Sequence, residues 1–222
     1  MSVSTFSPVA GANSPCDGYV ENYYIPGTYT FATLISQTTG AITDVTGTSI
    51  YLEINTGTTT NCFNRIGRDI LNFDTSALGA GATITGVTLS LYGVSKTVGL
   101  GDTSVHIVSA TPAGTANVVV GDLGQLGSTT FGNIPSISGL SLAGYTVITL
   151  NASGIAYINK IGVTSLGLKL GWDYSGSFTG TWASNQYTSP EFYSADKGVG
   201  FLPILTVTYS TGNTSSFLAF FN

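Results

Sequence analysis

Charge is what this sequence has least of. Among 222 residues there are six Lys and Arg and eleven Asp and Glu, so charged residues make up 8%, about a third of the roughly 25% in an average soluble domain. Six basic side chains cannot build the patch that displaces phosphate counterions, so no nucleic-acid partner is expected. The same shortage removes a polybasic membrane anchor, and no apolar run reaches the roughly 18 residues of a spanning helix, so membrane insertion is not expected either. The opening Met1-Ser-Val-Ser-Thr-Phe-Ser-Pro8 lacks the basic and apolar regions of a signal peptide. Surface exposure would then require a leader replaced by Met1, another export route, or a particle released when its host cell lyses.

Cysteine is nearly as scarce. Cys16 and Cys62 are the only two and form no C-x-x-C pair, so a zinc site is not expected. Two readings stand side by side. One is a disulfide closing a loop of some 45 residues, worth about 3–4 kcal/mol by loop entropy. The other is two separate thiols, as a reducing compartment would keep them.

What fills the chain instead is 42% hydrophobic and 11% aromatic residues, with 29 Gly and abundant Thr and Ser. Disordered chains are poor in aromatic and β-branched residues, so this one folds. The clearest pattern runs from Arg68-Asp-Ile-Leu-Asn-Phe-Asp74, across a Gly-rich break at 79–83, to Ile84-Thr-Gly-Val-Thr-Leu-Ser-Leu-Tyr92. Val87, Leu89 and Leu91 alternate with Thr88, Ser90 and Tyr92, the period of a strand with one buried face. Further strands are predicted at Asp17–Val20, Phe31–Ile35, Thr48–Ile54, Thr103–Ala110, Tyr145–Leu150, Ser165–Leu170 and Ile204–Tyr209. One short helix is predicted over Asn151–Asn159, with Asn151 or Ser153 as cap and Ile155 and Ile158 one turn apart. Short strands, turn signals and almost no helix give an all-β fold, an antiparallel β-sandwich of jelly-roll type. It is expected to span 1–210 as a single domain, followed by an apolar tail at 211–222.

Several segments, taken in order, resemble a known family. They are Asp17-Gly-Tyr-Val20, Arg68-x-x-Leu71-x-Phe73-Asp74-Thr-Ser76, Gly81-Ala-Thr-Ile-Thr-Gly-Val-Thr-Leu-Ser-Leu-Tyr92, Phe192-Tyr-Ser-Ala-Asp-Lys197 and Pro203-Ile-Leu-Thr-Val-Thr-Tyr209. Together they are similar to the DNRLRE-type, disaggregatase-related β-sandwich domains, which resemble carbohydrate-binding modules. Stand-alone versions resemble proteins encoded by bacterial viruses. The resemblance implies a non-catalytic structural protein on a virus particle (decoration, fibre or tail component), and alternatively an extracellular carbohydrate-binding or adhesion module. Its partners would be particle subunits or further copies of itself, and surface glycans.

The site candidates follow the aromatics. Trp172, Tyr174, Phe178, Trp182, Tyr187, Phe192 and Tyr193 lie in one segment rich in Ser, Thr and Asn. Flat rings beside hydroxyls and amides suit a sugar, and Trp172, Tyr174, Trp182, Tyr187 and Tyr193 are the candidate glycan contacts. The competing reading is a small core under a long connection. Asp173, Glu191 and Asp196 share the segment, but no spacing makes them a hydrolytic pair, and His106 reads as a strand residue rather than a general base, so no enzyme is expected. No cofactor is expected. Structural calcium is conceivable at Asp17, Asp74 and Asp196, although no D-x-D-x-D-G loop exists. Finally, Phe217, Leu218, Phe220 and Phe221 crowd a terminus where polar residues are usual, and are candidates for assembly contacts on this chain or a neighbour.

Overall fold

The computed structural model describes residues 1–23 and 29–211, and the statements below concern these residues. Phe217, Leu218, Phe220 and Phe221 lie outside them. Thirteen strands are β1 (Ser2–Phe6), β2 (Asp17–Tyr23), β3 (Ile42–Asp44), β4 (Ser49–Tyr51), β5 (Glu53–Thr56), β6 (Phe63–Asp74), β7 (Ala82–Val98), β8 (Val105–Ser109), β9 (Gly132–Ile134), β10 (Tyr145–Thr149), β11 (Val163–Leu170), β12 (Tyr187–Tyr193) and β13 (Ile204–Thr211). Every pairing among them is antiparallel. The path across the strands runs β1-β13-β7-β12-β5-β6-β11-β8-β9. Most neighbours are distant in sequence, so the chain crosses repeatedly between layers. This is the all-β antiparallel sandwich that the sequence predicts.

The two strands of the organising stretch behave differently. In β7, Val87, Leu89 and Leu91 are buried while Thr88, Ser90 and Tyr92 are only partly so, as the alternation requires. Its first half pairs with β13 on one side and β10 on the other. From Gly93 onward it joins β12 in the second layer. A Cβ at Gly93 would collide with the Ser141 carbonyl, so the crossing between layers is built for glycine. β6 does not alternate at all, since Ile66 to Phe73 is buried throughout. It is flanked by β2 on one side and by β5 and then β11 on the other, and is covered above and below.

Helices are few and short. α2 (Ala152–Tyr157) is the predicted one, capped by the Asn151 side chain accepting from the Gly154 N–H at 3.0 Å. Two five-residue helices join it, α1 (Phe31–Ile35) and α3 (Gly171–Ser175). α1 corrects the strand predicted there. Phe31, Leu34 and Ile35 are spaced i, i+3, i+4, which is a helical face, and Thr30 accepts from the Thr33 N–H as its cap. A 3₁₀ turn spans Val120–Gly124.

The disulfide reading is also corrected, because both thiols are free. The Asn72 N–H donates to the Cys16 carbonyl, so Cys16 lies opposite residue 72, whereas Cys62 precedes the other end of β6. Ten residues of strand separate them, roughly 33 Å at about 3.3 Å per residue. A disulfide needs Cα atoms within about 7 Å. Burial further pushes the Cys16 thiol up to about 11, so it stays protonated and unreactive.

Because β6 is buried on both faces, its polar residues need partners from elsewhere. Arg68 finds four: its Nε and Nη2 donate to the two Asp173 oxygens at 2.8 and 2.7 Å, Nη1 to the Leu123 carbonyl and Nη2 to the Ile35 carbonyl. It thereby ties α1, the 3₁₀ turn and α3 to one strand. Asn72 donates to the Cys16 carbonyl and accepts from Ser165. Asp69 is the exception. It is fully buried and neither oxygen has a well-formed hydrogen bond. Burial, reinforced by the Asp17 carboxyl, holds its pKa well above the usual carboxylate range, with only weak relief from the Tyr51 backbone. Asp17, which accepts from the Ala195 N–H at 3.0 Å, is raised to about 7, mainly by burial.

Two predictions follow from these pairs. Asp173→Leu strands the buried Arg68 charge, and Arg68→Met leaves the buried Asp173 carboxylate with only Lys169, 3.6 Å away. Each should cost about 3–5 kcal/mol, whereas the double variant should lose much less. Urea unfolding of the three variants checks this, and additive losses would contradict it. For the acids, the folded chain holds protons that the unfolded chain releases. Stability should therefore fall as pH rises from about 4 through 7, by about 1.4 kcal/mol for each pKa unit of difference. Asp69→Asn should flatten that slope and raise the melting temperature at pH 8. An unchanged slope would show that the acids are not protonated inside.

Candidate functional site

Hydrogen-bonded register, rather than any one segment, assembles the best candidate site. Across β7, β12, β4, β5, β6 and β2, the side chains of one face form three rows. One is Ser95–Glu191–Tyr51. The central row is Thr97–Ser189, then Glu53–Gly67–Glu21. The third is Tyr187–Asn55–Arg65–Tyr23. Thr97, Ser189 and Gly67 are small and the flanking rows are bulky, so the central row becomes a floor between walls. The result is a trough of about 380 Å³ lined by Tyr51, Glu53, Asn55, Arg65, Tyr187 and Glu191 over Ser and Thr hydroxyls, within the size range of small-molecule sites.

Its inner end is closed by a charge network. The Tyr51 hydroxyl donates to Glu21 Oε2 at 2.6 Å, and Arg65 Nε lies 3.3 Å from Glu21 Oε1 and 3.5 Å from Glu53 Oε1. The Tyr19 ring packs on Tyr51 with centroids 4.4 Å apart, and Tyr23 lies under the Arg65 guanidinium. Burial, and then the bond to Glu21, holds the Tyr51 proton well above its ordinary range, while burial raises Glu53. Glu191 is fixed by two hydroxyls, Ser49 at 2.5 Å and Ser95 at 2.7 Å. Glu53 Oε1 accepts from Asn55 Nδ2 at 3.1 Å. Glu53 Oε2, Asn55 Oδ1, Ser189 Oγ, Thr97 Oγ1 and the Tyr187 hydroxyl have no hydrogen-bond partner among the described residues. These five groups are free to meet a ligand.

The five aromatic residues singled out by sequence do not form one platform. Tyr187, 40% exposed, stands on the trough wall. Trp172 is buried, 3% exposed, with its Nε1 donating to Thr179, and packs edge-on against Phe178, which meets Phe31 and Phe63. Trp182 is half-buried and donates to the Cys62 carbonyl at 3.0 Å. Tyr174 stacks on His106 with centroids 4.0 Å apart. Tyr193 joins Tyr92 and Phe201, with the Lys197 ammonium above its ring.

The acids are equally dispersed. Asp173 serves Arg68, Glu191 lines the trough, and Asp196 accepts from the Gly11 N–H at 3.0 Å. Asp74, exposed at the end of β6, accepts from the Ser76 N–H, while Asp17 is internal. Among the described residues no group of three or more His, Cys, Asp or Glu side chains could hold a metal ion. His106 shares its two ring nitrogens with the Ser104 and Thr130 hydroxyls at 2.9 and 3.0 Å, and burial lowers its pKa. A hydroxyl on each nitrogen, rather than a carboxylate on one, is not the arrangement of a catalytic triad.

Most trough residues carry no motif. Their signal is polar period-2 spacing, Tyr51-x-Glu53-x-Asn55, Ser95-x-Thr97 and Tyr187-x-Ser189-x-Glu191, of which only Tyr51 and Glu53 fall in a strand predicted from sequence. Each places polar groups on one face of a strand, but only the pairing shows that the faces coincide. No protein-family model matches the sequence, and no curated protein matches it.

Proposed function

We propose that this chain is a non-catalytic recognition protein that holds neutral carbohydrate in the trough, displayed by a virus particle or an extracellular protein. The observation that carries this reading is the convergence of five unpartnered polar groups between two tyrosine walls. Sugars present hydroxyls that both donate and accept, and C–H faces that pack on rings. The trough offers both, on rigid strands that need no ordering on binding. Its lining acids Glu53 and Glu191 outnumber the single Arg65, so uronic, sulfated or sialylated chains meet like charge, and neutral chains do not.

A second reading, a structural component of a particle, draws on a different feature. β1, β13, β10 and the first half of β7 contain no Asp, Glu, Lys, Arg or His, which suits a sheet to burial against protein. Co-sedimentation with particles that persists when the trough is blocked would favour this reading.

A glycan array with neutral and acidic chains tests the first reading, followed by calorimetry on the strongest neutral ligand. Ser189→Trp fills the trough floor and should abolish binding. Tyr187→Ala should weaken it roughly tenfold, about 1.4 kcal/mol, with the melting temperature unchanged. Binding to acidic glycans alone, or binding indifferent to Ser189→Trp, would refute the assignment.

A further inference from the structure

The sheet opposite the trough ends in a strand whose outer edge pairs with no other strand among the described residues. β1 pairs only with β13, in the register Ser2 to Tyr209 through Phe6 to Leu205. Among the described residues no backbone group bonds to its outer side. Edge strands ordinarily deter association with charge, proline, a bulge or extreme shortness. β9 and β3 are three residues long, and β10 packs beside β9. β1 is five residues, Ser-Val-Ser-Thr-Phe, with no charge, no proline and no register shift. Its outward side chains Val3, 63% exposed, and Thr5 continue a face built from Thr206, Thr208, Gly86, Thr88, Ser90, Val147 and Thr149. No ionisable acid or base interrupts that face.

We propose that β1 pairs with β1 of a second copy of this chain, antiparallel about a two-fold axis at Ser4. The two four-stranded sheets then become one of eight strands, in the order β10-β7-β13-β1 and its reverse. Charge chooses this occupant. In a two-fold antiparallel contact each side chain meets one from a copy of its own strand, so any charge on β1 would face like charge across the axis. Ser2 to Phe6 carries none, so β1 is free of the self-repulsion that deters such a pairing. A two-fold contact also satisfies self-complementarity: Val3 faces Thr5 of the second copy, and Ser2 faces Phe6. The proposal is independent of the trough, which opens on the other sheet.

Light scattering coupled to size exclusion, across the micromolar range, gives the test. The full chain should show a concentration-dependent dimer. The double variant Val3→Glu/Thr5→Glu sets carboxylate against carboxylate across the axis and should weaken dimerisation at least tenfold, with an unchanged melting temperature because both positions are exposed. Val3→Lys/Thr5→Lys should do the same. An equimolar mixture of the two variants should recover a dimer, since opposite charges then face each other. A monomeric full chain, a dimer indifferent to both variants, or a mixture that stays monomeric would overturn the proposal. So would a monomer that dimerises only when residues 212–222 are removed, because those residues would then be what occupies the edge.

Discussion

A strand buried on both faces has no solvent to satisfy its polar side chains, and β6 imposes that constraint on the whole molecule. From Ile66 to Phe73 it carries Arg68, Asp69 and Asn72 into the interior. An unpaired buried charge costs several kcal/mol, so the surrounding elements must bring partners to it. α3 contributes Asp173, and α1 and the turn near Leu123 contribute carbonyls, all to the one guanidinium. Three connecting segments that could otherwise wander are thus fixed by a single side chain. At its N-terminal end β6 emerges from this cover, and there Arg65 reaches the trough. Site and core are successive parts of one strand.

The other long strand, β7, distributes two kinds of surface. Its first half lies in the charge-free sheet, with inward Val87, Leu89 and Leu91 packed on the common core. Its second half supplies Ser95 and Thr97 to the trough. The crossing at Gly93 therefore separates a face of hydroxyls and methyl groups from one of carboxylates, tyrosines and an arginine. Two surfaces so different in chemistry, on opposite layers of one sandwich, are suited to two contacts made at once.

Sequence carries the fold well and the site poorly, for reasons visible in particular residues. The alternation at Val87, Leu89 and Leu91 is local, because one face of β7 is buried and the other is not. β6 offers no such contrast, and its parity hides the fact that Arg68 and Asp69 are both internal. α1 was legible in the i, i+3, i+4 spacing of Phe31, Leu34 and Ile35, but five residues of β-compatible composition also read as a strand. The distance between Cys16 and Cys62 depends on the β2–β6 register, which no local pattern specifies. The trough is the extreme case. Its residues come from β4, β5, β6, β7 and β12, so each strand shows only one to three of its positions, and adjacency exists only after pairing. Aromatic density could not distinguish Tyr187, an exposed ring on the trough wall, from Trp172, which is buried against the Phe178 ring.

The same burial alters what the net charge means. A formal charge of −5 suggests an acidic exterior. Yet six of the eleven acids (Asp17, Glu21, Glu53, Asp69, Asp122 and Asp173) and one of the six bases (Arg68) are buried. Five acids and five bases are left with appreciable exposure, so the exterior is close to neutral and the excess of acid is internal. Long-range fields then do little to attract or repel partners, and association depends on short-range fit. A surface of hydroxyls with balanced, sparse charge hydrates well without steering anything. Two places depart from that background: the trough, where acids lie beside aromatic rings, and the β1 edge, where charge is wholly missing.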